Sequence, residues 1–144
     1  MLIAQISDLH CREAGVETLL SCNNNHNISL AIDRLNALSP RPDLVIATGD
    51  LTSAGRIEQY SALSDLLKPL EIPLFLLPGN HDEYGPLLEV FSNRYGIVND
   101  GHGYVRTVID NGPLRLVALD TSVEGHHQGG IPKKRALWLD KVLG

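Results

Sequence analysis

Three short apolar runs, "LIAQIS" (Leu2–Ser7), "DLVIAT" (Asp43–Thr48) and "PLFLL" (Pro73–Leu77), alternate with two longer segments of helical spacing. Short apolar runs bounded by polar residues read as buried strands. The first helical segment, Ile28–Leu38, repeats Ile28, Ala31, Ile32, Leu35 and Leu38 on one face. Pro40 and Pro42 stop it. The second, Gly55–Leu67, sets Ile57, Tyr60, Leu63, Leu66 and Leu67 on one face. A β-α-β-α-β order implies right-handed crossovers and a mostly parallel sheet with helices on its faces. Tyr84–Tyr95 predicts a third helix. "YVRTVID" and "LRLVALD", separated by the turn signal "NGP", predict an antiparallel pair that makes the sheet mixed. Pro132–Leu143 predicts a closing helix with Leu137, Trp138 and Val142 available for packing. The expected class is α/β: a mixed, mostly parallel sheet or sheets flanked by helices.

With 144 residues the chain is expected to be one domain, or most of one. A net charge of −5 with scattered basic residues argues against a nucleic-acid polymer as partner. No apolar run approaches the roughly 18 residues of a membrane span. The start, "MLIAQISDLH", lacks a basic leader and a cleavable apolar segment, so a cytoplasmic location is expected. Cys11 and Cys22 are the two cysteines and are expected to be reduced.

In parallel sheets ligands bind at the carboxyl ends of the strands. Here those ends are rich in ligand types. The first run ends in "SDLHC" with Asp8 and His10, the second in "TGDLTS" with Asp50, and the third in "PGNHDE" with Asn80, His81 and Asp82. Gly49 and Gly79 let the backbone turn sharply beside a ligand. Singly, each polar residue has an ordinary reading. A strand-end Asp is usually a cap or turn residue, and "NHD" fits an Asx-turn entering a helix. Three successive strands ending in ligand types is more than capping explains. Two carboxylates, two imidazoles and an amide oxygen suit manganese, iron, zinc or cobalt, without the thiolates of a structural zinc site.

The other histidines have weaker claims. His26 is expected in a polar loop and His102 in the turn "NDGHGY". His126 and His127 follow a strand end at Asp120, and His127 is a candidate substrate contact. Rival architectures lack their motifs. No G-x-G-x-x-G follows the first strand, no G-x-x-x-x-G-K-[ST] occurs, and no G-x-S-x-G elbow is present.

The pattern "DLH" (Asp8 to His10), "GD" (Gly49-Asp50) and "GNHD" (Gly79 to Asp82), with gaps of roughly 30–40 residues, resembles the calcineurin-like metallophosphoesterases. "LNALSPRPDLVIATGDLTSAG", "EQYSALSDLLKPL" and "ALDTSVEGHHQGGI" resemble its class III cyclic-nucleotide phosphodiesterase and glycerophosphodiesterase branch. The resemblance implies dinuclear-metal hydrolysis of small phosphodiesters by a metal-bridging hydroxide. It implies Asp8 and His10 on the first metal, Asp50 bridging both, and Asn80 on the second. It places His81 at the scissile phosphate as the catalytic group. Two ions need a shared carboxylate, and together they activate water and clamp the phosphate.

Two positions depart from that pattern. Ser53 stands where relatives often carry an acid, and Tyr84 where this branch often carries Arg. The pattern also continues with a lone His and a G-H-x-H, three further ligands that neither "GHGY" nor "GHHQ" supplies. Residues 1–144 are therefore expected to be the N-terminal half to two-thirds of such a domain, with one metal or none in this chain alone. The alternative expectation is an inactive half-domain that binds one metal or phosphate weakly. An exposed sheet edge or apolar face would invite homo-oligomers.

Overall fold

Alternating apolar side chains assemble β1 (Ile3–Ser7), β2 (Leu44–Thr48) and β3 (Leu74–Leu77) into one parallel sheet with β2 in the centre. The computed structural model describes residues 1–16, 23–98, 101–111, 114–123 and 125–144. The register pairs Ser7 with Thr48 and Thr48 with Leu77, so all three strands end at one level. Beyond that level the first two chains stay zipped. The amides of Asp8, His10 and Cys11 donate to the carbonyls of Gly49, Asp50 and Leu51 at 3.2, 2.9 and 3.0 Å.

One face of the sheet carries Ala4, Ile6, Val45, Ala47, Leu74 and Leu76 into the core. Three helices contribute to the same core. α1 (Asn24–Ala37) buries Ile28, Ile32 and Leu35, a 3.6-residue stripe. α2 (Ile57–Leu67) buries Tyr60, Leu63 and Leu67, and α3 (Tyr84–Phe91) buries Leu87 and Phe91. α2 lies against both α1 and α3. Each such side chain contributes about 1.5–3 kcal/mol when fully removed from water. The opposite face keeps Ile3, Gln5, Ile46, Thr48 and Phe75 partly or fully exposed. There the Gln5 amide donates to the Thr48 hydroxyl at 2.8 Å.

α1 begins four residues before the expected Ile28, because Asn23 caps it by accepting from the His26 amide at 3.1 Å. His26 thus lies in the first helical turn and not in a loop. α3 stops at Phe91 and not at Tyr95. Asn93 and Tyr95 take left-handed φ of 59° and 51°, and the turn they form docks on β3 through Leu76 N–H to Tyr95 O, 2.9 Å. That docking occupies the edge of β3. The hairpin β4 (Arg106–Asn111) and β5 (Leu114–Leu119) accordingly forms its own antiparallel sheet, where the sequence predicts one mixed sheet. Of the expected "NGP" turn, Gly112 and Pro113 lie outside the described residues. The α/β class stands, as a parallel sheet plus a separate antiparallel ribbon.

α4 (Lys133–Leu143) buries none of its residues, and Leu137 is 60% exposed, against the expected packing role. Trp138 instead lies under the Arg106 guanidinium, 5.3 Å from the ring centroid. Arg135 ties the helix to the end of β5 by donating to Asp120 O and Ser122 O at 2.8 and 2.6 Å. Among the described residues no helix is long and apolar enough to cross a membrane.

Cys11 sits just past β1 with no exposed surface, while Cys22 lies outside the described residues. Burial pushes the Cys11 thiol up to about 12, so thiolate is scarce at neutral pH. In a Cys22→Ser background, Cys11 should react with iodoacetamide at about pH 8 at least ~100-fold more slowly in the native than in the denatured chain. A native rate within about tenfold of the denatured one would contradict this burial.

Candidate metal centre

The level strand ends bring Asp8, His10 and Asp50 together, with one ligand atom from each within 4.8 Å of the others. His10 Nε2 lies 3.7 Å from Asp50 Oδ2. Asp8 is exposed and the other two are half-buried, so the cluster opens to solvent. All three sit in left-handed backbone, at φ 54°, 42° and 45°. Among the described residues Asn93 and Tyr95 are the other non-glycine positions of this kind. Such positions cost on the order of 1–3 kcal/mol each and gather where surroundings over-determine the chain. Here the zipped backbone of residues 8–11 and 49–51 over-determines it.

The third loop fits against the second with no space to spare. A Cβ at Gly79 would overlap the Asp50 amide and carboxylate, so glycine is required there. Gly49, with φ 77°, makes the turn on the facing side. The His81 amide donates to Asp50 Oδ1 at 3.2 Å. The His81 ring stands edge-on to His10, with centroids 5.0 Å apart. Its Nδ1 lies 3.0 Å from the Ser53 carbonyl. A carbonyl only accepts, so Nδ1 carries the proton and Nε2 keeps its lone pair in the neutral ring.

Asn80 turns its amide nitrogen to His127 Nδ1, 3.2 Å away. An amide NH₂ only donates, which leaves the Asn80 carbonyl oxygen to accept or ligate. His127 also lies 6.3 Å from His81, ring to ring, so three imidazoles run in a row from Asp50 outward. With Thr48, Gly49, Leu77, Gly79, Asn80 and Ser122, His127 lines a cavity of about 370 Å³. His126 is taken up differently: its amide closes a turn onto Val123 O at 2.9 Å.

Supporting residues were missed by the sequence reading. In the short run "NNN" (Asn23 to Asn25), Asn25 receives the Arg12 N–H at 2.9 Å and donates to Arg12 O at 2.8 Å. Asn24 donates to His10 O at 3.2 Å. Ser53, a departure from the usual acid, donates to the same His10 carbonyl at 2.7 Å. It therefore links the His10 loop to His81. A cap-like Asn cluster directly after the first polar loop is the signal that could have revealed this.

Two carboxylate oxygens and an imidazole nitrogen on a strained, solvent-open rim fit a first-row divalent cation. A model of the calcineurin-like phosphoesterase family matches residues 1–141. The "Probable glycerophosphodiester phosphodiesterase" of Arcobacter nitrofigilis is 34% identical over 143 residues, which are 99% of this chain and 52% of that protein. The glycerophosphodiester phosphodiesterase of Enterobacter lignolyticus is 33% identical, over 99% of this chain and 51% of its own. The 3',5'-cyclic adenosine monophosphate phosphodiesterase of Pseudomonas aeruginosa is 31% identical, over 87% of this chain and 43% of its own. The chain thus spans about half the length of these curated relatives.

Without a cation the Asp8 and Asp50 charges repel. At under 5 Å and water-like screening the repulsion is about 1 kcal/mol. Asp8→Asn keeps a side chain that tolerates left-handed backbone and removes one charge. The variant should melt about 2–4 °C higher than wild type in EDTA. It should lose most of the stabilisation that manganese gives the wild type. Scanning fluorimetry with and without manganese checks both; a variant less stable in EDTA would contradict the repulsion.

Proposed function

We propose that this chain, which belongs to the calcineurin-like phosphoesterase family, carries a metal-assisted site for phosphodiester hydrolysis at the carboxyl ends of its parallel strands. The observation that carries the reading is the meeting of Asp8, His10 and Asp50 within one ligand shell. These three would hold one divalent cation of the manganese, iron, zinc or cobalt group. Asp50 and Asn80 would contribute to a second. A bound dication polarises phosphate oxygens and lowers the pKa of water.

The chain's own residues then have separable tasks. Ser53 fixes the His81 tautomer through its carbonyl, 3.0 Å from Nδ1. His81 Nε2 is free to give a proton to the leaving oxygen or to hydrogen-bond the phosphate. His127 orients the Asn80 amide and edges the cavity, where it would meet the substrate. The cavity of about 370 Å³ is lined by Asn80 and His127 and not by Asp8, His10, Asp50 or His81, so it would hold the body of a small substrate beside the cluster, in keeping with the glycerophosphodiester and cyclic-nucleotide substrates named for the relatives. A second reading, that the chain alone holds one cation and turns over poorly, is favoured by one observation. Asp8, His10 and Asp50 meet in one cluster, whereas Asn80, the further ligand that a second ion would need, turns its amide nitrogen to His127 at 3.2 Å.

The test is metal analysis after dialysis against manganese, paired with hydrolysis of bis(4-nitrophenyl) phosphate. Asp50→Ala should lose bound manganese and all metal-dependent hydrolysis. Asn80→Ala should keep one ion. His81→Ala should keep its ion while turnover falls by about 10²–10⁴, the range for a positioned acid–base group. If Asp50→Ala kept both ion and turnover, the site would lie elsewhere. Wild-type turnover at or above about 1 s⁻¹ with two tightly held ions would refute the second reading.

A further inference from the structure

Asp82 belongs to the same "GNHD" run as Asn80 and His81 and carries a carboxylate, a ligand type. Its surroundings assign it differently. Oδ1 accepts from the Thr52 amide, the Thr52 hydroxyl and the Tyr60 hydroxyl at 3.0, 2.9 and 2.9 Å. Oδ2 accepts from the Leu51 and Gly79 amides at 2.8 and 2.9 Å. A carboxylate offers about four lone-pair positions, and five donors saturate them. No lone pair is left for a cation.

Those donors come from three elements. Leu51 and Thr52 directly follow the candidate ligand Asp50, and Gly79 directly precedes Asn80. Tyr60 belongs to α2 and is fully buried in the core. The network closes on itself, since the Tyr60 hydroxyl also receives the Glu83 amide at 3.0 Å and Thr52 Oγ1 receives the Gly55 amide at 3.1 Å. We infer that Asp82 is a positioning residue: one half-buried carboxylate clamps the Asp50 and Asn80 loops together and anchors both to α2, which sets the spacing of the cation site. The inference rests on the reading of Asp8, His10 and Asp50 as that site.

The experiment measures manganese affinity of the full chain by electron paramagnetic resonance, beside its melting temperature. Asp82→Asn keeps the shape but swaps an acceptor oxygen for a donor that faces other donors. Its manganese dissociation constant should rise by about tenfold or more, at a temperature where circular dichroism shows it folded. Tyr60→Phe and Thr52→Val each remove one hydroxyl donor, and each should weaken binding by at least about threefold. Leu63→Ala, at a buried apolar residue of α2 that takes no part in the hydrogen bonds of Asp82, should lower the melting temperature comparably. Its affinity should stay within about twofold of wild type, which separates positioning from general destabilisation. If Asp82→Asn does not fold, the two single-donor variants decide the matter. Affinities within about twofold of wild type in every folded network variant overturn the positioning role alone. A wild-type chain that takes up no manganese overturns the site reading, and this role with it.

Discussion

The register of the parallel sheet is the constraint on which the rest of the structure depends. Ser7, Thr48 and Leu77 lie side by side across three strands. A slip of one residue would send each strand's side chains to the opposite face. It would also move Asp8 or Asp50 by a residue rise of about 3.3 Å, most of the width of a metal-ligand cluster. The apolar core on the helix side, one buried cluster that holds Val45, Ala47, Leu74 and Leu76 together with Tyr60, Leu63 and Leu67, fixes the register. Core packing on one face therefore determines the geometry of the polar rim at the strand ends.

The rim itself is held against local preference. Asp8, His10 and Asp50 occupy left-handed backbone, and two like charges face each other across less than 5 Å. Opposing terms come from outside the cluster. Backbone bonds zip the first two loops, the Asn24, Asn25 and Ser53 side chains hold the His10 segment, and Asp82 binds the second and third loops. Burial pushes the Asp82 carboxyl above the ordinary carboxylate value, against the pull of its donors. Burial, and then the neighbouring Asp82 charge, pushes the Tyr60 hydroxyl upward as well, so Tyr60 stays a donor. Stability removed at the rim is thus offset in its supports.

Both faces of the sheet alternate, but they are finished differently. The helix side is closed, whereas Ile46 and Phe75 on the other side keep partial exposure. α4 adds exposed Leu137 and Leu143. Sequence periodicity marks these residues as apolar and cannot say what lies over them, because the same alternation serves a covered or an open face. The hairpin shows a related limit. Its strands are plain in "YVRTVID" and "LRLVALD", yet its separation from the parallel sheet depends on the Tyr95 turn that docks on β3.

The sequence by itself determined the element order, the parallel sheet and the residue types at the three strand ends, because period-2 and period-3.6 patterns and Gly-containing turns are local signals. It also marked Asp8, His10, Asp50, Asn80 and His81 as candidates together. Tertiary structure decided which of these meet and in what state. Asp8, His10 and Asp50 share one shell, Asn80 turns its amide to His127, and Ser53 sets the tautomer of His81. It also separated Asp82 from its neighbours in "GNHD" by surrounding it with five donors. The reason is physical: whether a carboxylate binds a cation or holds a loop depends on what occupies its lone pairs. Here the occupants come from residues 3 to 31 positions away in the chain.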